Sequence, residues 1–158
     1  MFADSGILVL AARDTRQPSA RSSRLICKEC LMRNALSDDS ELHARMCKEK
    51  AAAAKDELER KRDSAVGDLA VKAVEQALEA AASLEGLHFH TEPRRAHSER
   101  TKWAKRKIPG ISSDLDELWG AYGALGYEGV DGERALKAVQ AMERVIKAIA
   151  KSTRLDLE

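Results

Sequence analysis

The chain has 158 residues and a net charge of +1, with 27 Lys and Arg against 26 Asp and Glu, so no global field draws it to nucleic acid. Hydrophobic residues make up 44% but aromatics only 4%, which predicts a thin helical core in one modest domain, or in a small module plus a helical domain. No segment is long and apolar enough to span a bilayer, so no membrane-spanning helix is expected.

Residues 1–24 open with Ile7-Leu8-Val9-Leu10, which reads as a strand or a docked extended segment. Asp4 precedes this run where a secretory signal would carry basic residues. The chain is therefore expected to be soluble and intracellular, in a reducing compartment, either cytoplasmic or nuclear. Arg13 to Arg24 holds Pro18, Ser19, Ser22 and Ser23, with Asp14 as its only acid. It has nothing large to bury and reads as a flexible basic arm, with Arg16, Arg21 and Arg24 as phosphate-contact candidates.

Residues 25–50 carry the most specific pattern, Cys27-x2-Cys30-x12-His43-x3-Cys47. All three cysteines of the chain fall inside it. Zn²⁺ takes four such ligands at tetrahedral corners, and a His and Cys four residues apart share a helical face. Cys27, Cys30, His43 and Cys47 are thus expected to hold a structural Zn²⁺. The alternative is a set of scattered buried thiols. An odd cysteine count argues against a disulfide framework. Ser37 is a fitting N-cap, with Asp38, Asp39 and Glu41 in the first turn, so the helix carrying His43 and Cys47 is expected to begin near Ser37.

The spacing resembles the ββα zinc-finger family, with Cys47 in place of the last His. That resemblance implies large apolar residues four and ten positions after the second cysteine, where this chain has Asn34 and Ser40. It also implies base reading from the positions of Leu36, Asp39 and Leu42. Leucine cannot make bidentate bonds to bases, so sequence-specific DNA reading is not expected. The segment is also similar to the small Cys-Cys-His-Cys fingers that bind ubiquitin through their helix. There an acidic residue sits two positions after the His, and here that position is Arg45. A helix-face protein contact is what this second resemblance implies.

Residues 51–64 are predicted to form a charged spacer helix, with Leu58 its only large apolar residue. Residues 65–158 are predicted to form a helical domain with a basic loop over 87–112. Val66, Leu69, Ala70, Ala73, Val74, Ala77, Leu78 and Ala81 recur at helical spacing, with a bend allowed at Gly67 and a stop at Gly86. Ser113 to Leu125 and Asp131 to Arg154 supply two more helices, the last with a Leu136, Val139, Met142, Val145, Ile146, Ile149 stripe. The fold class is mainly α: a small zinc finger continuing into a long helix, then an antiparallel bundle of helices 65–85, 113–125 and 131–154.

Arg94, Arg95, Arg100, Lys102, Lys105, Arg106 and Lys107 stand against Glu99 alone, with Trp103 among them. The cations would neutralise phosphates and Trp103 would stack on a base. Lys102 to Lys107 also fits a nuclear import signal. The alternative is a solvated loop whose Trp plugs the bundle. His88 and His90, alternating on a strand, would point the same way and could share an ion, with His97 nearby. The Leu87-His88-Phe89-His90 string resembles the strand of His-Asn-His nucleases, which implies metal-dependent cleavage. The adjacent His pair of that family is missing here. No phosphate loop or nucleophile elbow is present.

The resulting expectation is a non-catalytic zinc-finger protein that binds RNA or DNA with little sequence specificity. The alternative is an interaction adaptor, or a homo-oligomer, that pairs through helices 65–85 and 131–154. A metal-dependent nuclease is the distant third reading.

Overall fold

A computed structural model describes the backbone of residues 28–127 and 131–158, with side chains at Leu36 and from Asp38 onward within those ranges. The arm of residues 1–24, with Arg16, Arg21 and Arg24, lies outside the described residues, as does Cys27. Five α-helices and one 3-10 turn make up the described fold, and no strand occurs among the described residues. No described helix is long and apolar enough to cross a membrane.

α1 (Lys28–Glu59) and α2 (Asp63–Ser83) form an antiparallel hairpin. The turn between them is short because Lys61 takes a left-handed φ of 57°, and Arg62 pairs with Glu57 across it. Two cross-links fix the register. Ser40 Oγ donates to the Ala80 carbonyl at 2.8 Å, and His43 Nδ1 meets Gln76 Oε1 at 2.7 Å. α1 begins nine residues before the expected start at Ser37. Residues 51–64 are also not a free-standing spacer. Ala54 is fully buried and Ala51 and Leu58 pack on the core, so this stretch is part of the bundle.

α2 is the central helix. It packs against α1, α3 (Pro93–Lys107), α4 (Ser112–Tyr127) and α5 (Gly132–Thr153). A helix buried nearly all round needs small side chains, and Ala70, Ala73, Ala77, Ala80, Ala81 and Ala82 meet that need. Gly67 does not bend α2. The helix runs through it unbroken, and the missing side chain lets α4 approach: a Cβ there would sit 3.3 Å from Leu125 Cβ. Gly86, with φ 73°, closes the chain after α2, where its N–H donates to the Ser83 carbonyl.

The expected loop over 87–112 is mostly helical. Phe89–Thr91 forms a 3-10 turn, and Pro93 opens α3 instead of breaking it, as proline does in a first helical turn. Lys105, Arg106 and Lys107 occupy its last turn, where the helix dipole favours cations. α4 and α5 fall where the sequence places them, and Asp131 caps α5 by accepting from the Arg134 N–H at 3.0 Å.

The faces read as partner surfaces lie inside the molecule. Val66, Ala70, Ala73, Val74, Ala77, Leu78 and Ala81 of α2 are buried, as are Val139, Met142, Val145, Ile146 and Ile149 of α5. Only Leu136 of the α5 stripe stays exposed.

Candidate functional site

The cationic segment divides into an inner and an outer face once it is helical. Arg100 points inward. Its Nε and Nη2 donate to Glu79 Oε1 at 2.9 and 2.8 Å, and its Nη1 lies 2.7 Å from Glu75 Oε1. Arg100 is therefore engaged with two glutamates of α2 and does not face a phosphate. Trp103 is only 6% exposed and packs on Phe89 with ring centroids 6.0 Å apart. It anchors α3 to the core and cannot stack on a base, which corrects the role expected for it.

The outer face keeps the other six cations, Arg94, Arg95, Lys102, Lys105, Arg106 and Lys107, all exposed. Lys105 pairs with Asp116 at 2.6 Å, Lys107 with Glu85 at 2.9 Å and Lys102 with Glu99 at 3.5 Å. The hydrogen bond from Lys107 holds the Glu85 carboxyl below its ordinary range. Such exposed pairs contribute about 0–1 kcal/mol each, so an incoming phosphate can displace them. Arg94, Arg95 and Arg106 make no ion pair among the described residues.

Inside the bundle, α1, α2 and the 3-10 turn bring His43, Glu79 and His90 together. Their donor atoms lie within 4.8 Å of one another. His43 and His90 have ring centroids 5.2 Å apart, and His88 lies beyond, 5.8 Å from His90. His88 and His90 are thus neighbours, although before and within a 3-10 turn and not on a strand, while His97 turns away to pack edge-on against Trp119 at 4.5 Å. Glu79 Oε2 accepts from the Phe89 N–H at 3.2 Å and lies 3.2 Å from His90 Nδ1. One glutamate thereby ties the 3-10 turn and α3 to the central helix.

Glu75 completes the network. Burial pushes its carboxyl pKa up, but the hydrogen bond from Lys72 and the charges of Arg100 and Lys72 outweigh that, and the net shift is downward. His97 adds to the lowering.

Of the four residues expected to hold Zn²⁺, His43 and Cys47 are the two whose side chains are described. Cys27 lies outside the described residues, and the side chain of Cys30 is not described. Cys30 and His43 sit thirteen residues apart on the continuous helix α1, which separates them by about 20 Å along its axis. Metal bonds of about 2.0–2.3 Å cannot bridge that span. A finger of Cys27, Cys30, His43 and Cys47 thus requires residues 28–42 to leave the helix. Cys47 is fully buried in the hydrophobic core, and burial pushes its thiol pKa up to about 12, with Lys48 opposing the rise.

Sequence reasoning names His43 and His90 separately and misses Glu79, Glu75 and Gln76. The available signal is a pair of glutamates four residues apart in an otherwise small, apolar helix. Such carboxylates share one face, and in α2 that face is buried.

No family model, curated protein or solved structure matches the chain.

Proposed function

We propose that the chain binds nucleic acid, non-catalytically and with little sequence preference, through phosphate contacts made by the outer face of α3. The observation that carries this reading is the set of six exposed cations on one helix whose inner face is locked by Arg100 and Trp103. A helix held in this way presents its charges with little further loss of backbone freedom on binding. With Trp103 inside, nothing on this face stacks on bases, and long flexible Lys and Arg side chains contact the backbone without reading sequence. The basic arm of residues 1–24, with Arg16, Arg21 and Arg24, would add phosphate contacts of the same kind.

The test is fluorescence anisotropy with labelled duplex and single-stranded probes across a salt series. Log affinity should fall linearly with log salt. The triple variant Arg94→Glu, Arg95→Glu, Arg106→Glu removes three cations that hold no ion pair among the described residues. It should weaken binding to every sequence and make the salt slope shallower by about one for each phosphate no longer neutralised. Affinity that does not respond to salt, or an unchanged slope in the triple variant, would overturn the reading.

A further inference from the structure

We infer that His43, Glu79 and His90 form a site for a divalent transition-metal cation of the zinc type, with a fourth position open to solvent. Two imidazoles and one carboxylate are a donor set that suits this borderline class of ion. The three side chains come from three different elements, and their donor atoms already lie within 4.8 Å of one another.

The surroundings prepare each ligand. His43 Nδ1 faces Gln76 Oε1 at 2.7 Å, and a carbonyl oxygen can only accept, so Nδ1 carries the proton. The lone pair of His43 is then on Nε2. A ligand histidine is usually fixed in this way, its other ring nitrogen donating to an oxygen outside the coordination sphere. Glu79 is 1% exposed, and two hydrogen bonds from Arg100 hold its Oε1. Its Oε2 accepts from the Phe89 N–H at 3.2 Å and also faces His90. The 3.2 Å between His90 Nδ1 and Glu79 Oε2 is long for a charge-assisted hydrogen bond. It is close to the edge of a coordination tetrahedron, which is about 3.4 Å for bonds of about 2.1 Å. A cation seated between them needs little movement of either group. The His90 side chain is 49% exposed, so the ion reaches the site from solvent past it, and water fills the remaining position on that side.

This site and the cysteine set compete for His43, because one Nε2 serves one ion. Occupancy at Glu79 and His90 therefore leaves Cys27, Cys30 and Cys47 without their histidine.

The experiment uses the full chain, stripped with chelator and titrated with Zn²⁺ by calorimetry, with Co²⁺ as the spectroscopic probe. Circular dichroism verifies that each variant is folded. The wild type should bind one equivalent, and Cys27→Ser, Cys30→Ser should bind it as tightly. His90→Ala changes an exposed side chain and should abolish that equivalent. Gln76→Leu releases the ring of His43 and should weaken binding by about 10–100-fold. The Co²⁺ form should show visible ligand-field bands without a thiolate charge-transfer band. The inference fails if no metal binds, if His90→Ala binds as well as wild type, or if a charge-transfer band appears and is lost with the cysteines.

Discussion

Arg100 is the residue on which the polar interior depends. It sits between Glu75 and Glu79, and its side chain is 7% exposed against 11% and 1% for theirs. Replacing one partner of such a group leaves the other charges buried without compensation. Arg100→Met should therefore cost about 3–5 kcal/mol, read as a lower urea midpoint. The double variant Arg100→Met, Glu79→Gln should lose less than the two single variants together, because the second change removes a charge that the first one strands. In the sequence Arg100 is one cation among seven in a basic run, and nothing local separates it from Arg94 or Arg106. Its role becomes visible only when α3 is known to lie against the glutamate face of α2. The same holds for Glu79 and the two histidines, which are 36 and 11 residues from it and meet only through the hairpin register.

Among the elements, α4 and α5 are legible in the sequence because their ends are punctuated. Pro109 and Gly110 precede one and Asp131 caps the other. α3 is not legible. Its buried residues Ala96, Arg100, Trp103 and Ala104 do recur at helical spacing, but an arginine inside the stripe disguises it as a charged loop. Gly67 reads as a weak point in a helix, whereas its function is in the contact between helices. Alanine there gains about 1 kcal/mol of helix propensity but meets Leu125 at 3.3 Å, tighter than ordinary contact. Leu125 is 1% exposed and has little room to move. Gly67→Ala should accordingly change stability by less than about 1 kcal/mol, while Gly67→Leu, which overpacks the same gap, should cost about 1–3 kcal/mol or more. Thermal unfolding of the two variants beside wild type checks both.

For the molecule as a whole, near-neutral net charge hides an uneven placement of charge: two buried glutamates of α2 paired with Arg100 on the inner side of α3, and six exposed cations on the same helix, three of them paired with acids. The inner acids make stability depend on pH at the acid end. The folded pKa of Glu75 lies below its ordinary value, so its contribution is complete above about pH 4.3, the unfolded value. It is lost as pH falls through the lower folded value. The contribution of Glu75 to the melting temperature should hold down to about pH 4.5 and then fade, so Glu75→Gln should start lower than wild type and lose less below that pH. Circular dichroism melts across that range decide it.

The three-residue turn at Lys61 also favours an order of assembly. Closing so short a connection costs little chain entropy, so the contacts beside the turn, such as Arg62 with Glu57, can form early and α1 and α2 can zip away from them toward Ser40 and Ala80. The face bearing Glu75 and Glu79 then stays hydrated until α3 arrives from further along the sequence. Burying those carboxylates without Arg100 would cost several kcal/mol, so their burial is expected at the step in which α3 docks.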